Sequence, residues 1–258
     1  MKKGDLISIE FTGREKSTGK VFDTTQKEVA EKEGLSTEGR EYGPVSVVAG
    51  NGEVLPGLDN ALVEMKVGEK KKIELTPEMA FGNRHAQLVK VLPLSEFKKN
   101  NIPPVPGTWI NANEMMGKVQ SVSGGRVRVD FNPELAGKEV EYELKILKHF
   151  TDEKEMLDVL TNKIFRGNEK PHVKREGEIV TVSGPIPVMT RYQRGLAMFS
   201  KVVLEIIPSV KKVNLQSLVE KKDVENTHIH EDGTIHSNDA HASHGHAHDH
   251  DHEHGHTH

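Results

Sequence analysis

The stretch Lys138–Leu147 places Val140, Tyr142, Leu144 and Ile146 on one side and Glu141, Glu143 and Lys145 on the other. Such alternation marks a half-buried β-strand, and its backbone N–H and C=O groups need neighbours along an edge. The chain must therefore build a sheet with one apolar face, and the other strand-like segments lie far upstream. Leu6, Ile7 and Ile9 lead into Phe11-Thr12-Gly13, and Lys20-Val21-Phe22-Asp23 follows a turn at Ser17-Thr18-Gly19. Val45, Val47 and Val48 resume the pattern after a polar stretch, 24–43, that reads as a loop or short helix. Lys70–Leu75 is a further strand, with Lys70-Lys71-Lys72 as a solvated edge. Between these strands Leu58, Ala61, Leu62 and Met65 sit at i, i+3, i+4 and i+7, one helical face that ends at Gly68.

Residues 85–131 interrupt this series. They hold Pro103, Pro104 and Pro106, then a hairpin, Lys118–Val122 and Arg126–Phe131, turning at Ser123-Gly124-Gly125. If they are an insertion, the strand from Lys138 completes the first sheet. Residues 153–169 read as a helix through Met156, Leu157, Leu160, Ile164 and Phe165, capped by Thr151 or Asp152. Glu178–Val182 then reads as a strand, Arg191–Ser200 as a helix and Lys201–Ile207 as a strand. The segment 153–222 is thus a small α+β unit.

At 258 residues the chain has room for about two domains. It has no cysteine, which excludes disulfides, thiolate metal sites and cysteine nucleophiles. No run approaches the roughly 18 apolar residues of a membrane span, and no apolar stretch follows Met1-Lys2-Lys3-Gly4-Asp5. The cytoplasm is the expected compartment, with no membrane partner. The net charge of −4 is uneven: residues 223–258 carry eight acids and no Lys or Arg, which leaves the rest at +4. A balance that mild is no nucleic-acid footprint.

Taken singly, the motifs are weak. Phe22-Asp23-Thr24-Thr25 has the Asp-Thr of an aspartic protease, but no second Asp-Thr-Gly or Asp-Ser-Gly exists to complete a dyad. Gly50-Asn51-Gly52 lacks the remainder of a dinucleotide loop and reads as a turn. The three histidines outside the tail, His85, His149 and His172, suggest no Ser–His–Asp arrangement.

Taken in order, the segments resemble the FK506-binding-protein family of peptidyl-prolyl isomerases. The matching blocks are Phe11-Thr12-Gly13, Val21-Phe22-Asp23-Thr24-Thr25, Glu53-Val54-Leu55-Pro56-Gly57-Leu58, Met65-Lys66-Val67-Gly68-Glu69-Lys70, Thr76-Pro77-Glu78-Met79-Ala80-Phe81-Gly82 and Glu141-Tyr142-Glu143-Leu144. The insertion after Ala80-Phe81-Gly82 and the histidine-rich tail are similar to the SlyD-type branch, and the added 153–222 unit resembles its long archaeal members. The implied fold is α+β: a half-open antiparallel sheet wrapped on a helix, with an inserted small β-rich chaperone domain and a C-terminal α+β domain. The implied domains are 1–84 with 132–152 for the isomerase, 85–131 for the insert-in-flap chaperone, 153–222 for the C-terminal domain and 223–258 for a disordered tail.

The resemblance also implies a site. Its catalytic positions would be Asp23, Phe22, Tyr142, Phe81 and Phe11, and its substrate-binding positions Val45, Val54, Leu55, Leu58 and Ala80. No cofactor is required, because rotation about a prolyl amide breaks no covalent bond. The barrier of about 18–20 kcal/mol comes from amide resonance. A dry apolar pocket favours the twisted, less dipolar amide, and each 1.36 kcal/mol gained is tenfold in rate. Asp23, the lone charge, would orient neighbouring groups without moving a proton. Leu58 stands where drug-binding members often carry Trp, and Phe11 and Phe81 replace expected tyrosines, which argues against tight macrolide binding. The insertion, with Leu88, Val89, Val91, Leu92, Ile102, Met115 and Met116, is expected to hold unfolded chain beside the pocket.

Twelve of the fifteen histidines lie between His228 and His258. His244, His246, His248, His250, His252, His254, His256 and His258, interleaved with Asp and Glu, are a ligand set for Ni²⁺ or Zn²⁺ on a tail too polar to fold alone. The expected partners are unfolded or nascent polypeptides with prolyl bonds and divalent metal ions. The alternative function is nickel or zinc binding or delivery on an isomerase scaffold, and a third reading is an interaction module with 153–222 as a homodimer or partner interface.

Overall fold

The computed structural model describes residues 1–36, 39–112, 115–219, 227–229 and 235–237. The fold is α+β, and the chain divides into two compact units, Met1–Val159 and Leu160–His258.

The first unit begins with β1 (Leu6–Glu15), β2 (Val21–Thr24), helix α1 (Lys27–Lys32), β3 (Val45–Val48), helix α2 (Pro56–Leu62) and β4 (Lys70–Leu75). An inserted run follows: β5 (Val89–Pro93), α3 (Leu94–Lys99), β6 (Trp109–Ala112), β7 (Met115–Ser123) and β8 (Arg126–Asp130). Strand β9 (Val140–His149) then returns to the first sheet. It lies between β1 and β4, antiparallel to both, while β2 and β3 share the other edge of β1. The alternating strand at the end of the family match is therefore central in the sheet.

One face of this sheet is the core. Ile7 and Ile9 of β1 and Val140, Tyr142, Leu144 and Ile146 of β9 pack against Leu58, Leu62 and Met65, all nearly excluded from solvent. Gly57 lets α2 come this close, because a Cβ there would run into Leu75. The other face is charged, and its cross-strand pairs are diagonal. Lys70 reaches Glu143 at 2.6 Å and Lys72 reaches Glu141 at 2.6 Å, which sets cations beside anions although the like charges Lys70↔Lys145 and Glu74↔Glu141 are directly opposed. The lysine run is thus an edge, as its sequence suggests, but all three of its ammonium groups are paired, Lys71 with Glu64 at 3.6 Å.

The insertion forms its own antiparallel sheet, ordered β5-β8-β7-β6. The turn between β7 and β8 has positive φ at both Gly124 (56°) and Gly125 (72°), a requirement of the tight primed hairpin turn. Phe97, Ile110, Val119, Val127, Val129 and Phe131 form a separate small core, with Leu88, Leu92 and Ile102 against it. Val91, Met115 and Met116 stay exposed.

Helix α4 (Glu153–Ile164) crosses the boundary between the units and is capped by Asp152, whose Oδ1 accepts from Glu155 N at 2.8 Å. The second unit continues with β10 (His172–Glu176), β11 (Ile179–Pro185), α5 (Ile186–Arg191), α6 (Gln193–Ile206) and β12 (Lys212–Leu218). The expected strand at Lys201–Ile207 does not form; that stretch ends α6. Val202 and Val203 continue the buried helical stripe begun by Leu196 and Phe199, and packing overrides their β-branched preference. The strand lies later, at β12, where it pairs in parallel with β11 from Ile179↔Lys212 to Pro185↔Leu218. Parallel neighbours need a crossover, and α5 and α6 supply it. Phe165 and Phe199 centre this core, with ring centroids 5.2 Å apart.

Within the stretch read as unfolded tail, β13 (Thr227–Ile229) pairs antiparallel with β14 (Ile235–Ser237). Among the described residues no helix is long and apolar enough to cross a membrane.

Candidate active site

Four aromatic side chains from four places in the sequence meet on the apolar face of the first sheet. Phe11 and Phe22 come from β1 and β2, Tyr142 from β9 and Phe81 from the segment after β4. The Phe22 ring receives Tyr142 and Phe81 edge-on, with centroids 5.7 Å and 5.6 Å away, and Phe11 lies tilted on Tyr142 at 5.8 Å. Edge-to-face contact of this kind fixes ring orientation as well as burying area. Phe81 is presented by a tight turn at Pro77–Met79, closed by Gly82 N donating to Pro77 O at 2.7 Å.

Val54, Leu55 and Ala80 pack partly buried around the same core, and Leu58 is buried within it. These four residues, expected from the resemblance, come together in the structure. Val45, at the start of β3, is 38% exposed and stands outside that cluster. The loop bearing Val54 and Leu55 is braced by Asp59. Its two carboxylate oxygens accept from Gly50 N and Gly52 N, each at 2.8 Å.

Asp23 sits next to Phe22, held by the threonines behind it. Thr24 Oγ1 shares a hydrogen bond with Thr12 Oγ1 at 2.9 Å, and Thr25 Oγ1 accepts from Phe11 N at 3.0 Å. The Asp23 carboxylate is ion-paired with Arg40, which also donates to Thr24 O at 3.3 Å and stacks over the Tyr42 ring at 5.1 Å. Arg40 and Tyr42 were invisible to sequence reasoning. The available signal was that Arg40 is the only arginine in the polar loop 24–43, but loop composition does not reveal which acid it reaches.

Tyr142 carries the hydroxyl of the aromatic cluster. Burial pushes its pKa well above the ordinary phenol value, and the negative charge of Asp23 adds to the rise. The group therefore stays protonated and can donate a hydrogen bond to a carbonyl. The arrangement offers an apolar wall, one donor and one carboxylate whose charge is balanced. It contains no nucleophile–base pair.

Among the described residues no group of three or more His, Cys, Asp or Glu is placed to hold a metal ion. The expected metal ligands His244, His246, His248, His250, His252, His254, His256 and His258 lie outside the described residues.

Residues 1–104 match the model of the FKBP-type peptidyl-prolyl cis-trans isomerases, and residues 90–135 match that of the FKBP26 IF domain. A short-type peptidyl-prolyl cis-trans isomerase of Methanocaldococcus jannaschii is 35% identical over 146 residues, 57% of this chain and 92% of that protein. The FKBP-type 16 kDa isomerase of Escherichia coli is 30% identical over 103 residues, covering 38% of this chain and 69% of its own length. The SlyD isomerase of Helicobacter pylori is 25% identical over 156 residues, 57% and 77% of the two chains. The chain belongs to the FKBP-type peptidyl-prolyl cis–trans isomerases, in the SlyD-type branch that carries an IF domain.

Proposed function

We propose that the pocket around Phe22 isomerises prolyl bonds of unfolded polypeptides in the cytoplasm without covalent chemistry, while the insertion holds the substrate chain nearby. The observation that carries this reading is the edge-on packing of Tyr142 and Phe81 on Phe22, with Asp23 adjacent and balanced by Arg40. An apolar wall disfavours the planar, dipolar amide relative to the twisted one. The Tyr142 hydroxyl can hold a substrate carbonyl while the C–N bond turns. A gain of a few kcal/mol gives about a thousandfold or more.

Exposed Val91, Trp109, Met115 and Met116 support the holding role of the insertion, because such residues adapt to varied apolar segments. The domain boundaries that go with this reading are 1–84 with 132–152, 85–131, 153–222 and 223–258. The test is a proline-limited refolding reaction with metal-stripped protein at substoichiometric amounts. Acceleration that falls in both Asp23→Ala and Tyr142→Ala supports the site, and unchanged rates in both variants sink it.

Two further roles belong to the same proposal. The histidine tail binds Ni²⁺ or Zn²⁺, supported by its dense imidazoles with Asp249, Asp251 and Glu253 interleaved; calorimetric titration of the metal-free chain would measure it. The 153–222 unit pairs with a second copy, supported by the exposed Leu215 and Leu218 on edge strand β12. A monomer in sedimentation at high concentration removes the pairing.

A further inference from the structure

The insertion leaves and rejoins the isomerase sheet through two short crossings, residues 82–88 outbound and 131–137 on return. One polar cluster joins the crossings, and the pocket does not use it. Asp130, the last residue of β8, is ion-paired through Oδ2 with Arg84 on the outbound crossing and accepts from Gln120 Nε2 at 3.2 Å. Its Oδ1 accepts from Asn132 N at 3.0 Å and Asn132 Nδ2 at 2.7 Å. Asn132, only 4% exposed, clasps His85 from both sides. His85 N donates to Asn132 Oδ1 at 2.8 Å, and Asn132 Nδ2 donates to His85 O at 3.0 Å.

This cluster is saturated. Both protons of the Asn132 amide have acceptors, and its oxygen mimics a strand partner for the opposite crossing. The Asp130 carboxyl is held below its ordinary pKa: burial alone would raise it, but the Asn132 bonds and the Arg84 charge outweigh that. Backbone bonds flank the cluster, Phe131 N to Leu88 O at 2.9 Å and Gly137 N to Gly82 O at 2.8 Å. Gly82 (φ 80°) and Gly137 (φ 75°) bend the crossings where they meet the isomerase sheet. Two glycine bends beside a small independent core make a swivel unless side chains lock it.

We infer that Asp130, Asn132 and Arg84 are positioning residues, a clamp that holds the insertion in one orientation to the prolyl pocket so that captured chain is delivered to Phe22 and Tyr142. The inference rests on the reading that the insertion holds unfolded chain. Tethering raises the rate of a second encounter only when geometry lets both sites engage the same chain. The clamp supplies that geometry, so it acts on long substrates and leaves a short prolyl peptide untouched.

The test uses the full chain with Asn132→Ala and Arg84→Ala. The second variant alters a half-exposed side chain and keeps the test alive should the first misfold. Because the chain has no cysteine, Lys20→Cys with Lys99→Cys allows two spin labels, one on each side of the crossings. Turnover of a short prolyl peptide should match the parent. On a proline-limited refolding protein kcat should fall about tenfold in Asn132→Ala and about threefold in Arg84→Ala, with KM retained, as expected when delivery is impaired and capture is not. The label-to-label distance distribution should broaden in both, and Arg84→Lys should restore rate and distribution. A parent-like distribution, or a broadened one with parent-like kcat on the protein substrate, overturns the clamp. Val91→Ser with Met116→Ser is the separate control: if that pair leaves protein refolding unchanged, the holding reading fails.

Discussion

Gly13 lies directly opposite Tyr142 across β1 and β9, and a Cβ on Gly13 would stand 2.8 Å from Cε1 of that ring and 2.9 Å from Cζ of Phe22. Both neighbours belong to the aromatic cluster, so the missing side chain of Gly13 is the space in which the Tyr142 and Phe22 rings meet. Gly13→Ala should push Tyr142 and Phe22 apart at a cost of about 1–3 kcal/mol in stability, with a larger proportional loss of isomerase turnover. Turnover and denaturant midpoint measured together decide it; a stable variant with parental turnover would show that ring spacing is unimportant.

Arg40 is the counter-charge of Asp23 and is half exposed. Arg40→Ala should lower stability by less than about 1 kcal/mol, as for other solvent-screened pairs. It should reduce kcat more clearly, because an unbalanced carboxylate draws water towards the apolar wall. Parallel measurement of urea midpoint and peptide turnover separates the two effects.

The raised pKa of Tyr142 predicts a pH dependence. In the unfolded chain the phenol ionises near its ordinary value of about 10, whereas the folded chain resists ionisation at that pH. The unfolded state then binds fewer protons, so this contribution to stability is complete below about pH 10 and falls as pH rises beyond it. Tyr142→Phe should remove that part of the decline. Urea midpoints from about pH 9 to about pH 11 for both proteins give the difference, and parallel curves would refute the assignment.

Asp59 accepts two backbone N–H groups in the loop that carries Val54 and Leu55. Asp59→Ala leaves both donors unpaired and should cost about 1–3 kcal/mol for each one that water does not reach. Loosening the loop should also raise KM for prolyl peptides before kcat changes. Asp59→Asn, which keeps one acceptor, should fall between parent and Ala in thermal unfolding.

Much of the first unit was legible because its signals are local. Val140, Tyr142, Leu144 and Ile146 alternate cleanly, Gly124-Gly125 dictates a tight turn, and Phe22-Asp23 precedes two threonines that bond back to β1. In the second unit Val202, Val203, Ile206 and Ile207 carry strand propensity and helical spacing at once. Propensity is the weaker signal once a buried face is available, and the segment folds as helix. Strand β12 is not legible in the sequence because its partner β11 lies parallel across two helices, and nothing within seven residues encodes such pairing.

The amino-acid sequence by itself determined the apolar-in, charged-out order of the central strand, the aromatic set of the pocket and the place where an insertion interrupts the sheet. The strand order follows from side-chain periodicity, which acts over a few residues, whereas the aromatic set and the insertion were legible through the ordered blocks that resemble the FK506-binding-protein family. Only the tertiary structure decided that Arg40 balances Asp23, that Gly13 makes room for Tyr142 and that Asp130 with Asn132 ties the two crossings together. Each is a contact between segments brought together only when the sheet closes, and a charge or a gap in one segment does not specify its partner until the backbone fixes the distance between them.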